Sequence, residues 1–212
     1  MSKIPNLGEE KRLWRQGFGV VGGVDEVGRG AFAGPVVAGC VIFEESLSLA
    51  NVVVKIDDSK KLSFRQREKA SEWIKKNALG WGVGVVSVGK INKLGISKAT
   101  QMAFRKAIKE AGARVGKPVD YLLIDAFYIP FVRGLRRKNQ KAIIHGDARV
   151  ISVAAASIVA KVARDKIMVK LSQNRKYRKY GWEQNKGYGT LAHRNALQKY
   201  GITRLHRQDW VD

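Results

Sequence analysis

Cysteine is almost missing from this 212-residue chain: Cys40 stands alone. One thiol excludes an internal disulfide and any Cys-rich zinc site. Its setting, Val36-Val37-Ala38-Gly39-Cys40-Val41-Ile42, reads as a strand with the thiol buried. No apolar run approaches the ~18 residues of a membrane span. Met1-Ser2-Lys3-Ile4-Pro5 has none of the make-up of a secretory signal, so the expected location is the cytoplasm. Internal repeats and low-complexity linkers are absent as well. Acid is scarce: eighteen Asp and Glu face forty Lys and Arg, a formal charge of +22. An imbalance of that size speaks of partners rather than fold. The cations are spread along the whole chain instead of forming one tail or one amphipathic helix. That favours a nucleic-acid partner over an acidic membrane surface.

What remains is an ordinary globular composition, 45% hydrophobic and 8% aromatic, long enough for one well-filled domain with an appendage. Residues 1–16 read as a loose lead-in or short helix anchored by Leu13 and Trp14. Phe18-Gly19-Val20-Val21 opens a strand expected to end at Asp25 and Glu26, with glycines at 28 and 30 in the following loop. Pro35 to Phe43 is a second strand. Ser63 has the character of an N-cap for a helix from Phe64 to Asn77, and 81–88 read as a third strand. The apolar positions Ala103, Phe104, Ala107, Ile108 and Ala111 mark one face of a helix over 96–111. Tyr121 to Asp125 is a buried-type strand ending in an acid. Ala142-Ile143-Ile144-His145-Gly146-Asp147 repeats that design. A helix rich in small residues is predicted from Ile151 to Met168, and a last one near Leu191 to Tyr200. Together these predict an α/β fold with a mixed sheet. The division expected is 17–172 as the main domain and 173–212 as a small, basic, helical C-terminal part.

The few acids are placed suggestively. Asp25 with Glu26, Asp125 and Asp147 each end a predicted strand. Any one of them alone is most simply a solvated residue at a strand end. If the strands are neighbours, four carboxylates meet at one edge, a costly arrangement unless cations neutralise it. Oxygen-only ligands select Mg²⁺ or Mn²⁺ over zinc. Two such ions roughly 3.5–4 Å apart can hold a phosphate from both sides. In a chain this basic, that constellation points to metal-dependent phosphoryl transfer.

The residues then resemble one family. Gly23-Val24-Asp25-Glu26-Val27-Gly28-Arg29-Gly30 is followed by Gly34-Pro35-Val36-Val37 and by Asp58-Ser59-Lys60-Lys61-Leu62-Ser63. Later come Leu123-Ile124-Asp125, Gly146-Asp147, the run from Ser152 to Asp165, and Gly187-Tyr188 with Thr190 and His193. Six blocks in this order, from about 20 to 200, resemble ribonuclease HII, the type 2 ribonuclease H. Arg29 between its glycines and the shortness of the lead-in set the chain apart from the type 3 enzymes. The resemblance implies a ribonuclease H-like fold with a mixed five-stranded sheet flanked by helices. It implies an endoribonuclease acting on RNA–DNA hybrids and at ribonucleotides embedded in duplex DNA, working as a monomer without membrane attachment. It implies two Mn²⁺ or Mg²⁺ ions held by Asp25, Glu26, Asp125 and Asp147, and a 2′-hydroxyl read by Gly28-Arg29-Gly30 and Tyr188. Two positions depart from the family pattern: His145 stands where lysine is usual, and Gly189 where proline is common. A different nuclease on the same fold and a non-catalytic RNA-binding protein are the rival readings.

Several residues carry two accounts. Lys60 and Lys161 are candidates for phosphate contact, or solvated surface charges. Ser59 and Ser157 could bond phosphates, or cap and pack. Asp165, four residues after Lys161, fits a helical ion pair better than the fourth metal position, for which it is the runner-up. His193 reads as a structural histidine. Tyr177, Tyr180 and Trp182 could stack on a duplex, but the core of the C-terminal part is the preferred account.

Overall fold

Val21–Val27 (β1), Val36–Ile42 (β2) and Gly80–Val86 (β3) form an antiparallel meander in the computed structural model, which describes residues 4–211. Tyr121–Asp125 (β4) joins the free side of β1 in parallel, and Gln140–Ile143 (β5) pairs with β4, also in parallel. The order β3-β2-β1-β4-β5 is the mixed five-stranded sheet that the sequence predicts. Met1, Ser2, Lys3 and Asp212, the ends of the predicted lead-in and tail, lie outside the described residues.

The helices are Gly8–Trp14 (α1), Phe64–Asn77 (α2), Val88–Leu94 (α3), Ile96–Val115 (α4), Ile151–Ser172 (α5), Arg175–Arg178 (α6), Trp182–Asn185 (α7) and Leu191–Tyr200 (α8). The predicted start of α2 holds: the Ser63 hydroxyl accepts from the Gln66 N–H, and the Gln66 side chain returns the bond to the Ser63 N–H. Two helices run further than their patterns predict, and α3 was not foreseen. With Gly89 and two lysines in seven residues, it has no apolar period long enough to read.

The small-residue character of α5 has a direct cause. A Cβ on Gly39 would lie 2.3 Å from the Ala156 carbonyl oxygen, so the helix backbone rests on the middle of β2. One apolar core lies between that sheet face and α1, α2 and α5; Leu13 and Trp14 are buried in it as anchors. The other face is covered by α3 and α4. A third cluster joins Ala33 and Met168 to Tyr177, Tyr180, Trp182 and Ala196. The α1 helix is also tied to α5 by charge: buried Glu10 accepts from the Ser152 N–H and hydroxyl at 3.0 and 2.7 Å, at the α5 N-terminus.

Three strands end differently from expectation. β3 stops at Val86, and Val88, predicted as strand, opens α3. β1 begins at Val21 rather than Phe18, and it continues through Asp25 and Glu26, which stay paired with Gly39 and Ala38 of β2. β5 ends at Ile143, four residues before Asp147. His145, with φ 55°, turns the chain, and Asp147 lies in the 3-10 turn Gly146–Ala148 that leads into α5. The apolar run 142–144 suggested a longer strand, but Ile144 is exposed and faces no core. Among the described residues, no helix is long and apolar enough to cross a membrane.

Candidate active site

Register brings the first acids together. The β1–β4 ladder runs in parallel to the rung Val24–Ile124, and the next residue on each strand is an aspartate. Asp25 and Asp125 therefore stand side by side where the β1–β4 ladder ends. Asp25 is buried, with its Oδ1 fixed by the Glu26 N–H at 2.7 Å. Asp125 Oδ1 accepts from the Gly146 N–H at 2.9 Å, which draws the turn bearing Asp147 toward β4.

The electrostatics are those of crowded, desolvated acids. Burial pushes the Asp25 carboxyl well above the usual range; Glu26 and Asp125 raise it further, while the Ser157 hydroxyl favours the charged form. Burial also raises Glu26, opposed by Arg29, whose Nη1 is 3.7 Å from Glu26 Oε1, and reinforced by Asp125. Asp147 is raised by burial, then by Asp58 and Asp125, and lowered by Lys60. Asp58 is thus a fifth acid at this edge, a neighbour to which the sequence reading gave no role. Among the described residues, no three of these side chains close around a common point. What the fold supplies is a set of oxygen donors, partly buried and mutually repelling. That set fits a hard divalent cation, which would remove the repulsion and find carboxylate ligands in Asp25, Glu26, Asp125 and Asp147.

The flanking residues separate into two groups. Ser59 is buried, 2.9 Å from the Ser157 hydroxyl, and so stands behind Asp25 rather than facing solvent. Lys60 is exposed beside Asp147. Lys161 pairs with Asp165 at 2.8 Å, and its Nζ lies 5.5 Å from the centre of the Tyr188 ring. Asp165 is buried and engaged by that lysine, about two helical turns beyond Ser157. Replacing Asp147 with asparagine is accordingly expected to lower the cleavage rate far more than the same change at Asp165. Metal titrations of both variants check this; an inactive Asp165→Asn beside an active Asp147→Asn would reverse the assignment.

On the other side of Glu26, the loop turns sharply at Gly28, whose φ is 88°. A Cβ there would lie 2.1 Å from Arg164 Nε, so both conformation and space require glycine. Arg29 is exposed, its guanidinium 5.2 Å from the Phe127 ring centre, and Gly30 faces open space. The loop is stitched to the Tyr188 segment by Phe32 and Ala33, whose N–H groups donate to the Gly187 carbonyl at 2.9 and 3.1 Å. Beneath both lies Arg164, fully buried, donating to the carbonyls of Pro35, Lys186 and Ala33, with its guanidinium 5.1 Å from the Tyr188 ring centre. The structure thus brings Gly28, Arg29, Gly30, Lys161 and Tyr188 to one side of the acids, with Ser59 and Lys60 near Asp25 and Asp147. Sequence reasoning missed Arg164, His206 and Arg207, which lie under this surface. The one available signal was an arginine inside the small-residue run of α5. Tyr177 and Tyr180 stack on Trp182, with centroids 5.2 and 5.5 Å away, and all three are buried; they form the C-terminal core.

Comparison with known proteins agrees on one family. The sequence model of the family Ribonuclease HII matches residues 22–212. Ribonuclease HII of Caldanaerobacter subterraneus subsp. tengcongensis is 43% identical over 203 residues, 96% of this chain and 78% of that protein. Ribonuclease HII of Alkaliphilus metalliredigens is 42% identical over 204 residues, 95% of each. Among solved structures, the complex of PCNA with RNase HII from Archaeoglobus fulgidus contains a chain that superposes with a TM-score of 0.71 at 26% identity, covering 90% of this chain and 95% of that one.

Proposed function

Since the chain belongs to the ribonuclease HII family and is a ribonuclease H enzyme, we propose that its acidic edge hydrolyses the ribonucleotide strand of RNA–DNA hybrids and incises duplex DNA at single embedded ribonucleotides. The products are 3′-hydroxyl and 5′-phosphate ends. The observation that carries this reading is the position after the Val24–Ile124 rung, where two aspartates stand side by side on adjacent parallel strands among further acids. Asp25, Glu26, Asp125 and Asp147 would hold two divalent cations, Mg²⁺ or Mn²⁺. Bound there, the cations would supply Lewis-acid polarisation of the scissile phosphate and activation of water. Ser157, backed by Ser59, meets the Asp25 carboxyl and favours its charged form, against the larger effect of burial. Lys60 and Lys161 neutralise backbone phosphates on either side.

Phosphate chemistry is the same in RNA and DNA, so the acids by themselves cannot choose the strand. We assign that choice to the Gly28-Arg29-Gly30 main chain and the Tyr188 ring, which would flank the sugar whose 2′-hydroxyl marks it as ribose. In this reading residues 17–172 are the catalytic domain and 173–212 the basic helical part that supports Tyr188. The enzyme acts as a cytoplasmic monomer.

The test is a labelled DNA duplex carrying one ribonucleotide, incubated with Mg²⁺ and with Mn²⁺. Incision at the ribonucleotide is expected, with an all-DNA duplex left intact. Equal cutting of the all-DNA duplex would make this a different nuclease on the same fold. Binding without cutting under either metal would make it a binding protein.

A further inference from the structure

Both proposed sugar-reading segments are tied to one stretch near the C-terminus. Gly34 donates its N–H to the Leu205 carbonyl at 2.9 Å, and Arg207 donates its own to the Phe32 carbonyl at 2.8 Å, on either side of an antiparallel bridge between Ala33 and His206. The Arg207 side chain is fully buried. Its Nε and Nη2 donate to the Gly34 carbonyl at 3.1 and 3.0 Å, and its Nη1 donates to the Arg29 carbonyl at 2.7 Å. A guanidinium buried on peptide carbonyls gains no ion pair. Desolvation and neighbouring Arg164 pull its pKa down to about 9. What such a group does supply is a rigid fork that fixes two acceptors at a set distance.

The neighbouring His206 reaches the other segment. Its Nδ1 accepts from the Thr203 N–H at 2.8 Å, so its proton resides on Nε2. His193 Nδ1 lies 2.9 Å from the Tyr188 carbonyl, which can only accept, so that nitrogen carries the His193 proton and Nε2 is bare. The two Nε2 atoms are 3.2 Å apart. The tautomers fixed at the far ends are therefore complementary in the middle: His206 donates to His193, and His193 donates to Tyr188. Trp182 Nε1 also donates to His193 Nε2, at 3.1 Å, which holds the same tautomer.

We propose that His206 and Arg207 are positioning residues for sugar recognition: Arg207 holds the main chain of Arg29, and His206, acting through His193, holds the main chain of Tyr188. Two adjacent residues thereby set the spacing between the two groups that flank the ribose. Neither touches the substrate. The inference rests on the reading of Tyr188 and the Gly28-Arg29-Gly30 loop given above.

The experiment measures kcat/KM at a single embedded ribonucleotide divided by kcat/KM on a continuous hybrid, at fixed salt and at a temperature where melting curves show each variant folded. Arg207→Lys keeps the charge and loses the fork. His206→Asn can still accept from Thr203 but cannot reach His193, whereas His206→Gln keeps a donor at the Nε2 position. Misplacing a positioned group by an ångström can cost about 100-fold, so Arg207→Lys and His206→Asn are expected to lower the ratio by about 10- to 100-fold. His206→Gln should retain most of it, a distinction that a purely structural role would not produce. Tyr188→Ala is the control for the underlying reading. If it shifts the ratio while Arg207→Lys and His206→Asn do not, the positioning proposal fails alone; if it leaves the ratio unchanged, the sugar-reading assignment fails. Nitrogen-15 spectra of the unmodified enzyme give a check independent of activity and of variant folding. The Nδ1–H tautomer of His193 with the Nε2–H tautomer of His206 supports the chain, and the opposite pair overturns it.

Discussion

Replacing Asp25 with asparagine is expected to abolish cleavage, leave hybrid binding largely intact and raise thermal stability. Asparagine preserves the shape: its Oδ1 can still accept from the Glu26 N–H and meet Ser157. What it removes is a negative charge that would help to hold the cations. Losing several kcal/mol of transition-state charge stabilisation corresponds to a fall of about 10³-fold or more in rate. In a chain of net charge +22, affinity for the hybrid would rest mainly on phosphate neutralisation by the basic surface, which the substitution leaves untouched. The stability effect follows from the sign of the pKa shift. The Asp25 carboxyl is raised in the folded state, so at neutral pH its ionised form opposes folding, and an uncharged isostere relieves the opposition. Single-turnover cleavage, hybrid titration and melting in metal-free buffer check the three parts. Near-normal turnover would remove the two-cation reading, and a lowered melting temperature would mean that Asp25 stabilises the fold.

The parts of this molecule that the sequence disclosed are those where one physical requirement dominates locally. The Ser63 capping box, the β-branched run of β2 and the acid at the end of β4 could each be read from a few neighbouring residues. So could the small residues of α5, because a helix lying directly on a sheet at Gly39 has no room for larger ones. Asp147 was placed at a strand end because Ala142-Ile143-Ile144 continues the apolar pattern. The break comes from a left-handed backbone at His145, which nothing in that pattern signals. The supports beneath Tyr188 were hidden for a different reason. Arg164 and Arg207 donate to main-chain carbonyls, and a carbonyl belongs to every residue, so the sequence holds no acidic partner to betray them. The pairing of His206 with His193 is likewise visible only after α8 and the following turn have brought them face to face.

That pairing leads to a pH dependence of folding. His206 is buried against His193, Trp182, Tyr180 and Thr203, and its pKa falls from the ordinary 6.5 to about 4, through desolvation first and the neighbouring imidazole second. The sign follows from which state binds the proton. Below pH 6.5 the unfolded chain protonates this histidine and the folded one does not, so the native state loses stability as the pH falls toward 4. Above 6.5 neither state binds the proton, and the contribution is fully present. A shift of that size amounts to about 3 kcal/mol by pH 4, roughly a 100-fold change in the folding equilibrium. His193, also depressed by burial, acts in the same direction. The raised acids Asp25, Glu26 and Asp147 act oppositely, because their protonation favours the folded state, so the histidine effect must be read as a difference. Denaturant unfolding of the wild type and of His206→Gln at intervals between pH 7 and pH 4 provides it. The variant should lose less stability on acidification, and the gap should open below pH 6.5. Parallel curves would mean that the folded state accommodates a charged His206. Within the native state the same protonation would put a second proton on Nδ1, opposite the Thr203 N–H that now donates to it. Acid should therefore loosen the turn after α8 before it unfolds the sheet, seen as a change in the near-ultraviolet dichroism of the Tyr177–Tyr180–Trp182 cluster ahead of the far-ultraviolet signal.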